Sequence, residues 1–273
     1  MNRANLIERI RIQRNYLCVG LDPDPEKIPR FLRSMSDPVY EFNKRIIDAT
    51  KAHCVAYKIN TAFYEVSGAA GWETMQKTLD YIPSTHFKIA DAKRGDIGNT
   101  SALYARAFFE TLSFDAVTVA PYMGEDSIRP FLEYNDKWTI LLGLTSNAGA
   151  RDFELQVMDQ GPLFELVLRK AVQWGTTENL MFVIGATKAD LFTRIRSITP
   201  NHFYLVPGIG AQGGSVKEIS EKALNTDCGL LLNASRSILF AGAGEDFAEK
   251  AANVSSDYAA EMSGYLMKNA SFG

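Results

Sequence analysis

The chain has 273 residues, 46% hydrophobic and 22% charged, with a formal net charge of -3 and a pI near 5.7. These values fit a soluble globular protein with a sizeable core, on the scale of one α/β barrel. They argue against a nucleic-acid surface, because no Lys/Arg block occurs, and against a membrane span, because no run approaches the roughly 18 apolar residues one requires.

The first segment, "MNRANLIERIRIQRN", is charged throughout and has no apolar stretch of the kind a signal peptide carries. It predicts a short amphipathic helix and a cytoplasmic protein. Eight short apolar, β-branched-rich runs follow: Tyr16–Asp22, Cys54–Asn60, His86–Lys93, Ala116–Tyr122, Trp138–Thr145, Met181–Thr187, Phe203–Gly210 and Cys228–Ser235. Most are apolar on both parities, as strands buried on both faces should be. Helical spacing fills the gaps between them. Val39, Phe42, Ile46 and Ala49 form one stripe, and Phe247, Ala251, Val254, Tyr258, Met262 and Tyr265 form another near the C-terminus. Cys18, Cys54 and Cys228 lie within apolar runs and read as small core residues, with no spacing that suggests a disulfide framework or zinc.

Strand and helix alternating eight times imply parallel pairing with right-handed crossovers. An open doubly wound sheet is the alternative. Eight units in this length, with no linker or composition shift, favour an α/β fold of one closed (β/α)8 barrel over 1–273, preceded by the N-terminal helix. Such a barrel gathers chemistry at the C-terminal ends of its strands. Here those ends carry Asp22, Lys58, Asp91 with Lys93, Ser146, a glycine-rich turn and Arg236.

The turn is "VPGIGAQGGS", four glycines in seven positions after the seventh strand. Glycines let backbone N–H groups approach an anion closely, and the following helix adds a favourable dipole. Arg236 follows the eighth strand, and its planar fork suits a phosphate. Either feature alone also fits a plain surface turn. Together, on the two loops where barrels hold phosphate, they predict a phosphate site.

The third run ends in "IADAKRGDIGNT", which puts Asp91, Lys93, Arg94 and Asp96 within six residues. Asp91 and Lys93 are two apart on a strand, so they are expected on one face, with Lys58 next door and Asp96 on the loop beyond. An alternating Lys–Asp–Lys–Asp array is costly to desolvate unless every charge is paired. It has a use if a lysine must be held ready to protonate a developing carbanion. A structural salt-bridge cluster is the plainer reading for any single one of these residues. The histidines (His53, His86 and His202) come before their strands or at their starts and read as structural or solvated. No HExxH, GxSxG or early GxGxxG motif occurs, so cofactor-free chemistry is expected.

At these residues the chain resembles the orotidine 5'-phosphate decarboxylase family. "DAKRGDIGNT" looks like its Asp-x-Lys-x-x-Asp signature, and "VGLDPDPEKIP", "YKIN", "GLTSN", "VPGIGAQGG" and "SRSI" fall in the family's order. The length and the long loop after the fifth strand look like its larger bacterial subgroup. The resemblance implies conversion of orotidine monophosphate to uridine monophosphate and CO2, without a cofactor. It implies a charged tetrad of Lys58, Asp91, Lys93 and Asp96, with Lys93 as proton donor to C6 and Asp91 against the substrate carboxylate. Asp22 and Lys58 would bind ribose hydroxyls, and Ser146 the pyrimidine amide edge. Gln212 and Arg236 would grip the phosphate, with Pro207, Gly213 and Ser235 in the same site. Asp96, Ile97 and Thr100 would belong to the neighbouring subunit's site, which implies a homodimer. The segment Ser146 to Pro162 is long and polar with little periodicity, and part of it is expected to be a lid.

Two departures from the family pattern stand out: "INTAF" after Lys58, where a proline is expected, and Ser235, where many members have glycine. Three rival readings remain. Magnesium-dependent sugar-phosphate enzymes on this barrel would need extra carboxylate ligands, for which Glu65 is the nearest residue. A non-catalytic nucleotide binder should have lost a tetrad charge. A scaffold gives no reason for charges and phosphate loops together.

Overall fold

A computed structural model describes residues 1–210, 213–269 and 271–272 of the chain. Eight parallel strands close into a barrel: β1 (Leu17–Gly20), β2 (Ala56–Asn60), β3 (Phe87–Arg94), β4 (Ala116–Val119), β5 (Trp138–Leu144), β6 (Leu180–Ile184), β7 (Phe203–Pro207) and β8 (Leu230–Ala234). Each strand pairs with its neighbours in sequence, and β8 closes on β1 through Leu17 and Leu232. Each of the eight expected runs overlaps a barrel strand. Six strands stop short of their predicted ends, while β2 ends at Asn60 as predicted and β3 runs one residue further, to Arg94; Asp22, Ser146 and Ser235 lie on the loops just beyond β1, β5 and β8.

Strands of a closed barrel are covered on both faces, and here the residues of β1, β4, β6 and β8 are all buried. Helices wrap the outside. In the helix Pro38–Thr50 the buried residues are Phe42, Asn43, Ile46, Ile47 and Thr50, so the stripe is centred one position later than Val39 and Ala49 suggest. In the helix Phe247–Leu266, Phe247, Ala251 and Met262 are buried as expected, with Ser255 and Leu266 beside them. Phe42 stacks on Phe247, ring centroids 5.2 Å apart, and joins the two helices.

The two ends of the barrel differ in chemistry. Phe87, Trp138 and Phe203 begin β3, β5 and β7, and their rings meet edge to face at 6.1 and 6.2 Å. The N-terminal helix Arg3–Gln13, capped by the Asn2 side chain, covers this end. It buries Leu6 and Ile10, and Arg3 lies 5.1 Å over the Phe203 ring while donating to the carbonyls of Thr177 and Asn201. His86 and His202, just before β3 and β7, are buried at this same end. Burial, then Arg9 beside His86 and Arg3 beside His202, push both imidazoles down to about 4, so both are neutral. Cys18, Cys54 and Cys228 are free thiols in the core. Among the described residues no helix is long and apolar enough to cross a membrane.

Arg196 ties the β6–β7–β8 side together. Its guanidinium donates to the carbonyls of His202 at 2.7 Å and Ala223 at 2.6 Å, and lies 3.8 Å from the Tyr204 ring centroid. Removing such a donor leaves screened carbonyls unpaired. Arg196→Met is expected to lower unfolding free energy by about 2–4 kcal/mol, measured by chemical denaturation. A loss under about 0.5 kcal/mol would mean that water replaces the guanidinium at little cost.

Candidate active site

The opposite end of the barrel opens into a cavity of about 490 Å³. Its floor is apolar and comes from successive strands: Leu142 on β5, Val183 on β6 and Leu205 on β7. Its walls are polar. Asp22, Lys58, Asp91 and Lys93 form one side, and Pro207, Gly208, Ser235 and Arg236 form another, with Ser146 and Asn147 at the rim of β5.

Strand register explains the charged wall. Lys58 on β2 stands opposite Gly20 of β1 and Ile89 of β3. That places its ammonium between two carboxylates: Nζ lies 3.1 Å from Asp22 Oδ1 and 3.3 Å from Asp91 Oδ2. Lys93 Nζ donates to the other oxygen, Asp91 Oδ1, at 2.7 Å. The sequence Asp22–Lys58–Asp91–Lys93 is therefore a continuous ion-paired chain.

Its members differ in exposure. The Lys58 side chain is 4% exposed and that of Lys93 is 50% exposed. Burial works against the charge on Lys58, yet Asp22 and Asp91 outweigh it and hold the ammonium above the ordinary lysine range. Burial likewise disfavours ionised Asp91, but Lys58, Lys93 and the Thr118 hydroxyl bring it down to about 2.

Asp91 and Lys93 do converge, but by a different route from simple strand alternation. Lys93 has φ +48°, and the β3–β4 pairing slips between Ala90 and Arg94. Its backbone N–H donates to Thr118 Oγ1 at 2.9 Å, and that hydroxyl donates to Asp91 Oδ1 at 3.0 Å.

The two departures from the family pattern both support Asp22. Ser235 Oγ donates to Asp22 Oδ2 at 2.7 Å. A Cβ on Gly20 would lie 1.8 Å from that hydroxyl, so glycine at position 20 makes room for the serine. Asn60, in "INTAF", donates its backbone N–H to Asp22 Oδ1 at 3.2 Å and accepts from the Ala62 N–H through its side chain.

Ser146 is set by two devices. Glu154 accepts from the backbone N–H of Thr145 at 2.7 Å and from its hydroxyl at 2.8 Å, which pins the end of β5. Gly185, just after β6, lets the Ser146 backbone come close: a Cβ there would sit 2.7 Å from the Ser146 nitrogen. The loop beyond contains a short 3-10 turn, Ala148–Arg151, and a small antiparallel pair, Val157–Met158 with Gly161–Pro162. Its sequence gives no periodic sign of either. Phe153 and Val157 are exposed on it, at 66% and 80%.

The remaining predicted residues lie elsewhere. Asp96 accepts from the Ile97 N–H at 2.7 Å, and Asp96, Ile97 and Thr100 stand outside the cavity lining, with Ile97 62% exposed. Gly213 has φ +84° and donates its N–H to the Gly210 carbonyl at 2.9 Å. Gln212 lies outside the described residues. Glu65 is taken by Arg94 in an ion pair. Among the described residues no group of three His, Cys, Asp or Glu side chains could hold a metal ion.

Thr118 and Glu154 were not singled out in the sequence. Thr118 has one visible mark, a hydroxyl inside the otherwise apolar "AVTV" of β4. Glu154 has none, since it is one of several acids in a polar loop.

The ionised state of Asp91 has a consequence for acid stability. Its folded pKa of about 2 lies below the roughly 3.9 of an unperturbed aspartate, so the unfolded chain binds this proton more readily. The contribution is full above that ordinary value and is lost as pH falls toward the folded one. Over that window wild type is expected to lose about 2–3 kcal/mol more than Asp91→Asn in denaturation titrations. Parallel acid curves for the two proteins would show that Asp91 is not held ionised.

Comparison with known proteins accords with this geometry. A family model described as orotidine 5'-phosphate decarboxylase / HUMPS family matches residues 15–251. The orotidine 5'-phosphate decarboxylase of Phocaeicola vulgatus is 54% identical over 266 residues, covering 96% of this chain and 98% of that protein. The enzyme of the same name from Flavobacterium johnsoniae is 54% identical over 254 residues, covering 92% and 93%. Among solved structures, Leishmania donovani OMP decarboxylase superposes with a TM-score of 0.81 at 34% identity, covering 95% of this chain and 99% of that one. Leishmania donovani UMP synthase gives 0.81 at 36% identity, covering 93% of this chain and 56% of that one. A barrel with this ion-paired mouth, matched over most of its length by the family model and by relatives of its own size, belongs to the orotidine 5'-phosphate decarboxylase / HUMPS family.

Proposed function

We propose that the protein decarboxylates orotidine 5'-monophosphate to uridine 5'-monophosphate and CO2, without a cofactor, in pyrimidine biosynthesis in the cytoplasm. The observation that carries this reading is Lys93. Its ammonium is half-exposed at the cavity wall and tied to Asp91 Oδ1 at 2.7 Å, with Asp91 held in turn by buried Lys58.

The nucleotide spans the cavity. Its phosphate lies toward Arg236 and the turn after β7, with Pro207, Gly213 and Ser235 at the same end. The ribose hydroxyls meet Asp22 and Lys58. The pyrimidine rests near the apolar floor with its amide edge toward Ser146, and its C6 carboxylate faces Asp91. The bond from C6 to the carboxylate carbon breaks, CO2 leaves, and the electron pair stays on C6. Lys93 Nζ gives that carbon a proton and becomes a neutral amine, which regains a proton from solvent.

Little resonance stabilises the C6 carbanion, so a fixed ammonium is complementary to charge that exists only as the bond breaks. The phosphate is remote from C6, so its binding energy is available to order the loop over 146–162 as a lid. The residues 1–273 act as one domain around this site.

The site takes its fourth tetrad charge from a second copy of the chain. Asp96, Ile97 and Thr100 follow β3 without lining the cavity, and exposed apolar residues occur on the segments after β3 and β4: Ile97, Leu103, Tyr122 at 90% and Met123. Large apolar side chains left exposed beside a site are what an association face would cover.

Two experiments test the reading. Purified protein given orotidine 5'-monophosphate with a chelator present should convert it to uridine 5'-monophosphate, followed by ultraviolet absorbance. Lys93→Ala should lose at least about 10³-fold in kcat. A folded wild type that binds uridine 5'-monophosphate but turns nothing over would leave a nucleotide binder instead.

Shared sites predict complementation. Lys93→Ala and Asp96→Ala proteins, each nearly inactive, should on subunit exchange recover roughly a quarter of wild-type turnover, because half the dimers are hybrids and each hybrid has one intact site. No recovery, with exchange verified by mass, would place Asp96 in its own subunit's site or outside catalysis.

A further inference from the structure

The pairing of β3 with β4 is interrupted where the charged residues sit. Ile89 faces Ala116 and Ala90 faces Val117, but the next aligned pair is Arg94 with Val119. Asp91, Ala92 and Lys93 therefore share the span opposite one residue, Thr118. A bulge of this kind removes ladder partners and re-aims side chains. Lys93 sits in the left-handed region at φ +48°, which a lysine seldom enters unless its surroundings hold it there.

Thr118 supplies what the ladder does not. Its oxygen accepts the Lys93 backbone N–H at 2.9 Å, and its proton goes to Asp91 Oδ1 at 3.0 Å. One hydroxyl thus uses both its acceptor and its donor capacity. The same Asp91 oxygen receives Lys93 Nζ, so the three groups close a ring of hydrogen bonds. Thr118 is fully buried and does not line the cavity. Its neighbours on β4 are Ala116, Val117 and Val119. A valine would fill the same volume, so the hydroxyl is what this position adds.

We infer that Thr118 is a positioning residue for the decarboxylation: its hydroxyl clamps the β3 bulge and fixes the Lys93 backbone and the Asp91 carboxylate in one geometry. This rests on the reading of Lys93 as proton donor. Thr118 lies outside the cavity lining, so its loss acts on kcat while nucleotide affinity stays. Misplacement of a reacting group by about 1 Å is enough to cost on the order of 10²-fold in rate.

The test compares wild type, Thr118→Val and Thr118→Ser as full chains. It reads kcat and KM for orotidine 5'-monophosphate, Kd for uridine 5'-monophosphate, and hydrogen exchange at the Lys93 amide. Thr118→Val should lower kcat at least about tenfold with KM and Kd within about threefold of wild type, and should speed Lys93 amide exchange at least about tenfold. Thr118→Ser should restore both kcat and amide protection. Thr118→Val with undiminished kcat and protection overturns the inference, as does a loss that serine does not rescue. If wild type itself turns over no substrate, the functional reading fails on its own, and the exchange data still judge the clamp. Faster exchange in the valine variant, with recovery in serine, upholds it, and unchanged exchange overturns it.

Discussion

The Asp91 carboxylate is the interaction on which the rest of this structure depends. It lies between two ammonium groups, Lys58 on one oxygen and Lys93 on the other, at the mouth of a barrel whose interior is apolar. Taking such charges out of water is expensive, and leaving one unpaired costs about 3–5 kcal/mol. The surrounding protein is arranged so that none is left unpaired. Asp22 answers Lys58, Ser235 and the Asn60 backbone answer Asp22, and Thr118 answers Asp91. Gly20 leaves space for the serine in that set.

The chain of charges has a gradient of exposure, and that gradient divides the labour. Lys58 is buried and paired on both sides, so it is an electrostatic anchor whose proton stays in place. Lys93 reaches Asp91 but remains half open to the cavity, where a substrate atom could meet it. The two lysines are chemically alike, and their surroundings give them different work. The aromatic floor under β3, β5 and β7 and the N-terminal helix close the other end of the barrel. A site with one open end and a dry base strengthens every electrostatic interaction within it.

Much of this was legible in the chain before any coordinates. The eight apolar runs mark the eight strands, because strands covered on both faces must be apolar on both parities. The polar residues that end those runs mark the mouth, because a closed barrel leaves its strand ends as the place where polar groups reach solvent and substrate. Lys58, Asp91 and Lys93 were therefore foreseeable as a cluster. Thr118 and Glu154 were not. Each acts through partners distant in sequence or through a bond to backbone, and a single hydroxyl in an apolar strand, or one acid in a polar loop, has no pattern that separates it from its neighbours.

The sequence by itself determined the alternation of strand and helix, the direction in which the strands run, and the end of the barrel that carries charge. These follow from local periodicity and from the chirality of the crossover. Tertiary structure alone decided the bulge at Asp91–Lys93, the left-handed backbone of Lys93, and the seat of Ser235 against Asp22 and Gly20. It also decided that Asp96, two residues beyond Arg94, lies outside the cavity lining of its own chain. Those features depend on register between strands and on the space one side chain leaves for another, and neither is written in the spacing of residues along a single segment.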